Sequence, residues 1–137
     1  PYLNSRPIHS KITLTLSVNE NGRSFAMEIS FANEKFAREA NDSKLLLRRH
    51  GERRAKLIRR RLDDMRAAAT LDDLRYLPGM RCHELHGNLS GQLTVDLDHP
   101  YRLLFEPAEP VPRKTDGGLD WRRVMAVVVI GVVDTHD

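Results

Sequence analysis

The sequence holds one cysteine, Cys82, in 137 residues. A disulfide within the chain is therefore excluded, and a reducing cytoplasm is the expected setting. There is no run of the roughly twenty apolar residues that a membrane-spanning helix needs, so no membrane contact is expected. The longest run, "VMAVVVIGVV" from Val124 to Val133, is much shorter and rich in β-branched residues, and it predicts a buried strand. A signal-peptide core is missing too, because "ITLTLSV" is apolar only at alternate positions. Internal repeats and low-complexity tracts are absent, which sets aside repeat architectures. What is present suits one folded domain: 40% hydrophobic and 30% charged residues, with length for a modest core. The charge is unevenly placed. Between Lys44 and Arg66, ten lysines and arginines stand against three carboxylates, although the whole chain is only +3. Such a segment fits a polyanion or an acidic protein partner, and equally a long solvated helix.

The N-terminal pattern is extended. "KITLTLSV" sets Ile12, Leu14, Leu16 and Val18 against polar residues, "NENG" offers a turn, and "RSFAMEISF" resumes, which predicts a hairpin. Met27 begins "MEISF" as a plausible native start, so residues 1–26 are an extension, either an extra hairpin strand or a non-native segment. From Asn33 the period turns helical through Phe36, Ala37 and Ala40. "NDS" then supplies a cap at Asp42 or Ser43, and Leu45–Leu47 carry a helix toward Gly51. A stronger helix is expected from Glu52 to Ala68, with Leu57, Ile58, Leu62, Met65 and Ala69 as its apolar stripe. After "LPG", the segments "MRCHELH", "QLTVDL" and "YRLLFE" read as three strands of an antiparallel meander. "PAEPVPRKTDGGLD" is a long loop, and Arg123–Val133 is the final strand. The expected fold is α+β, with two N-terminal helices packed on one face of a curved, mainly antiparallel sheet.

"MRCHELHGNLSG" concentrates chemistry, with Cys82, His83 and His86 within five residues. A zinc site would need a fourth ligand, neighbouring strand side chains diverge, and no second Cys/His pair exists, so no metal is expected. Cys82 reads as a small packing residue. His83 and His86, three apart, share a site only if His86 lies in the turn or a bulge intervenes. Each candidate also has a plain reading. The histidines serve as polar surface residues, Arg102 as a solvent-facing strand arginine in "YRLLF", Arg59–Arg61 as a solvated helix face, and Trp121 as an aromatic plug at the sheet edge.

The succession "RRRLDDMRAAATLDDLRYLPGMRCHELHGNLSGQLTVDLDHPYRLLF", with "VVIGVVDTH" after it, resembles the RelE/HigB superfamily of bacterial toxins in its plasmid-killer branch. The likeness runs from Met27 to His136 and rests on "LPG.R", "L.G...GQ", "YRL.F" and "DxH" in that order, so residues 27–137 are the expected toxin domain. It implies a RelE-like fold and a metal-independent endoribonuclease that cuts messenger RNA on the ribosome, with no cofactor. It also implies an antitoxin partner with a helix-turn-helix domain, HigA-like, through which alone operator DNA would be met. The family's active-site positions fall on His83, His86, Arg102, Asp134 and His136. The family tyrosine between the last two is Thr135 here, which offers neither a stacking face nor a phenol.

Cutting RNA without a metal requires a base for the 2′-hydroxyl, a stabiliser for the crowded phosphorane, and an acid for the leaving 5′-oxygen. Histidine, with an unperturbed pKa of about 6.5, suits proton transfer, and the arginine fork suits phosphate. The resemblance thus casts His83 or His136 as base or acid and Arg102 as phosphate clamp. His86 and Arg81 become supporting cations and Thr135 an RNA contact, while Arg59, Arg60 and Arg61, in their functional reading, dock ribosomal RNA or an acidic antitoxin segment. The alternative is a catalytically degenerate relative that keeps the antitoxin-binding surface and acts as a regulatory module.

Overall fold

The computed structural model describes residues 26–135. The expected strand over Ile12–Val18 and the residue His136 lie outside them. Within them the architecture is α+β, with a five-stranded mixed sheet. The strands are β1 (Glu28–Phe31), β2 (His83–Glu84), β3 (Leu93–Asp96), β4 (Tyr101–Pro107) and β5 (Ala126–Asp134), in the spatial order β1-β5-β4-β3-β2. β2, β3 and β4 form the expected antiparallel meander, with β2 reduced to two residues of "MRCHELH"; β5 pairs antiparallel with β4, and β1 joins β5 in parallel, Ile29 opposite Val127.

Three α-helices stand where two were expected: α1 (Glu34–Asn41), α2 (Ser43–His50) and α3 (Glu52–Ala67). The break falls at Asp42, whose backbone is extended and whose carboxylate accepts from the Lys44 and Leu45 amides at 3.1 Å. One residue thus ends α1 and caps α2, as aspartate favours when its side chain satisfies orphan amides. Asn33 caps α1 through the Phe36 amide and also donates from Nδ2 to the Ile130 carbonyl at 3.1 Å. Ile130 is the extra residue of a β5 bulge, where the register against β4 shifts between Leu104 and Phe105.

The helices cover one face of the sheet. Ile58, Leu62 and Met65 of α3 share a single core with Val95, Leu103, Phe105, Val127 and Val129. Truncating a fully buried leucine such as Leu62 to alanine would cost roughly 2–5 kcal/mol. The buried stripe of α3 is Ala55, Ile58, Arg61, Leu62 and Met65; of the expected residues Leu57 is only half-buried, and Ala69 lies beyond the helix, which ends at Ala67. Alternation then fixes the other face, because Thr94, Asp96, Arg102, Leu104 and Glu106 interleave with core residues and point away from the helices.

Candidate functional site

Two short strands and one long one bring the chemistry together on the face away from the helices. β2 is only two residues long, and its His83 sits opposite Thr94 of β3. Asp96, two further along β3, sits opposite Arg102 of β4. Cross-strand partners project to the same side, so His83, Thr94, Asp96 and Arg102 form one patch.

Within it the imidazole is held at both nitrogens. Nδ1 lies 2.9 Å from the Arg81 carbonyl, and Nε2 lies 2.9 Å from Arg102 Nη1. A carbonyl only accepts and a guanidinium only donates, so Nδ1 carries the proton and Nε2 presents its lone pair to Arg102. His83 is therefore neutral in this arrangement, and a second proton would set two donors against each other. The carbonyl is aimed by an unusual backbone: Arg81 has φ +46°, the left-handed region, which costs a residue with a Cβ on the order of 1–2 kcal/mol.

Asp96 balances the two arginines. Its Oδ2 is 3.4 Å from Arg81 Nη1, and its Oδ1 is 3.3 Å from Arg102 Nε, an ion-pair distance without hydrogen-bond alignment. Asp96 Oδ1 and Thr94 Oγ1 on this face of β3, and Gln92 Oε1 just before the strand, are buried and lack a hydrogen bond among the described residues.

The other sequence-selected residues are placed differently. β2 stops at Glu84 and His86 begins the turn at Gly87–Leu89, exposed, with no hydrogen bond to His83 or Arg102 among the described residues. Asp134 ends β5 opposite Tyr101, and Thr135 is tied down, its amide and its hydroxyl each donating to the Pro100 carbonyl at 3.0 Å. Arg59 and Arg60 are exposed on α3. Arg61 is 8% exposed and reaches through the core, donating to the carbonyls of Asp96 at 2.7 Å and Gly79 at 3.0 Å. Burial pulls its guanidinium pKa down from the ordinary value.

The partly buried Cys82 thiol is pushed up to about 12, chiefly by desolvation, so it stays protonated and is a poor nucleophile. Among the described residues no three of His, Cys, Asp and Glu gather as metal ligands. Nor is any helix there long and apolar enough to cross a membrane. Sequence reasoning missed Asp96 and Thr94, yet "LTVDL" alternates them against Leu93, Val95 and Leu97, and that parity was the available signal. It also missed the Arg54–Asp98 pair, with two bonds of 2.9 and 3.0 Å, which closes α3 onto the turn before β4.

A stretch of 56 residues is 38% identical to Toxin HigB-1 of Vibrio cholerae serotype O1, covering 41% of this chain and 59% of that protein. The chain thus spans less than two thirds of that relative. No family model and no solved structure matches.

Proposed function

We propose that this chain is the toxin of a toxin–antitoxin pair, a metal-independent endoribonuclease that cuts messenger RNA on the ribosome. In this reading it acts in the cytoplasm and is held inactive by a HigA-like antitoxin with a helix-turn-helix domain. The observation that carries the reading is the His83–Arg102 contact, in which a neutral imidazole presents Nε2 to the guanidinium best suited to grip a phosphate. The likeness to a protein named as a toxin supports it.

The chemistry follows from that contact. An incoming phosphodiester offers Arg102 a charged acceptor in place of the imidazole lone pair, and a guanidinium has five N–H groups to give. As Arg102 turns to the phosphate, Nε2 is released beside the 2′-hydroxyl and takes its proton. The 2′-oxygen attacks phosphorus and the 5′-oxygen leaves, giving a cyclic phosphate and a 5′-hydroxyl. A second acid returns a proton to that 5′-oxygen. His136 takes that role in the family's arrangement, with His86 and Arg81 as supporting cations. Asp96 keeps Arg81 and Arg102 from repelling each other before RNA arrives. Operator DNA would be met only through the antitoxin.

One observation favours a second reading, a degenerate relative that binds antitoxin without cutting. Thr135 stands at the family tyrosine position with its hydroxyl committed to the Pro100 carbonyl, so it brings no ring to the RNA. Mapping of 5′ ends after brief induction of the native chain and of Arg102→Ala separates the two. New ends on translated messages that vanish with Arg102→Ala are expected. Intact messages in cells that hold soluble native protein would overturn cleavage and leave the binding module.

A further inference from the structure

A second basic surface lies on the other side of the same edge strand. The 3-10 turns Leu71–Tyr76 and Trp121–Arg123 run side by side, joined by the Leu71 amide donating to the Val124 carbonyl at 2.9 Å. Between them and Lys114 opens a cleft of about 840 Å³. Tyr76 is 74% exposed at this cleft, a large ring with little protein cover. The Arg75 guanidinium lies 3.7 Å above the Trp121 ring and is fixed by its Nε donating to Asp72 at 2.8 Å. Arg122 Nε is 3.9 Å from Asp72, and Arg123 Nη1 is 3.6 Å from Asp120. Four cations thus meet two carboxylates, which leaves the cleft positive.

Its position links it to the proposed site. Trp121 is buried as a plug, and its Nε1 donates to Glu84 Oε1 at 3.0 Å. Glu84 follows His83 on β2, and successive strand side chains point to opposite faces. The cleft therefore sits on the helix side of β2, and the His83–Arg102 pair on its other side. β2 is the last strand of the sheet among the described residues, so a chain crossing that edge passes from one to the other.

We propose that this cleft is a second binding site for single-stranded RNA, holding nucleotides that flank the cut. An unstacked base needs an aromatic or guanidinium face, which Tyr76 and Arg75 supply, and its phosphates need cations, which Lys114, Arg122 and Arg123 supply. An acidic protein segment would satisfy the cations but leave the exposed ring unused. The placement rests on the ribonuclease reading, whereas the binding itself does not.

The test is fluorescence anisotropy of the full chain with a short labelled RNA whose 2′-oxygens are methylated and so cannot be cut. Tyr76→Ala is expected to weaken binding about tenfold, and Tyr76→Trp to keep it. Arg122→Glu with Arg123→Glu should weaken it further and reduce the salt dependence by roughly one phosphate contact per residue. Unchanged affinity in both variants would overturn the site. So would binding that disappears with Arg102→Ala alone, or displacement of the RNA by a glutamate-rich peptide as readily as by unlabelled RNA. If the expected pattern holds while messages stay intact in cells, the nuclease reading fails and this site stands.

Discussion

The two faces of the sheet spend their arginines differently. On the helix side, Arg61 donates to two backbone carbonyls and Arg54 makes two bonds to Asp98 with its guanidinium 3.5 Å from the Tyr101 ring. Arg61 is buried and Arg54 holds both oxygens of Asp98 in aligned bonds, so a ligand arriving from solution competes poorly for either guanidinium. On the other face, Arg102 has a neutral imidazole and a misaligned carboxylate. A phosphate offers the guanidinium two charged oxygens in the fork geometry it fits, which neither the imidazole lone pair nor the misaligned carboxylate provides. The same side chain is therefore a staple in one place and open to a ligand in the other, and the alignment of its resident acceptor makes the difference.

That contrast can be broken from either side. The largest effect is expected at the open end, where His83→Ala should lower cleavage by about 10²–10⁴-fold, as for loss of a general base. Thermal unfolding should barely move, because the patch lies outside the core; a collapse of stability would show His83 to be structural. At the staple end, Arg61→Met should cost roughly 2–3 kcal/mol in denaturant unfolding, since two charged donors leave carbonyls unpaired. The exposed neighbour substitution Arg60→Met should stay within about 0.5 kcal/mol. Equal costs at the two positions would sink the distinction.

The smallest change is at Asp98. Its hydrogen bonds from Arg54 hold the carboxyl below the ordinary value near 3.9. The pair therefore adds stability at neutral pH that is lost as the pH falls through the depressed folded value. Asp98→Asn should lose about 1 kcal/mol at neutral pH and flatten the acid limb of the stability curve. An acid limb identical to the native one would refute the linkage.

Much of this was legible in the sequence, and the failures have physical causes. The α+β order, the meander and the cap at Asp42 follow from period and residue chemistry. The third helix was not read, because Leu45–Leu47 continue the helical run of Phe36 and Ala37 and only the extended backbone at Asp42 interrupts it. The parallel β1–β5 contact was not legible either, since alternation tells which face a residue takes and nothing about which strand lies beside it. Arg61 reads as solvated by its charged neighbours, and its inward course depends on carbonyls that the Gly79 turn and β3 happen to present. His83 and Arg102 were each singled out. Their contact depends on a sheet register and on the left-handed Arg81 backbone, which no glycine or asparagine announces.

The parallel pairing of β1 with β5 also sets an order of events during synthesis. Ile29 waits for Val127, and at about 5–20 residues per second that delay is on the order of 5–20 s. Until β5 emerges, β1 and β4 each show an unpaired, partly apolar edge, while β2, β3 and β4 can already bring His83, Asp96 and Arg102 into register. The chemistry-bearing residues thus come together on three strands before the central strand that steadies them is made. The proposed site would therefore be in register on a sheet that still lacks its central strand.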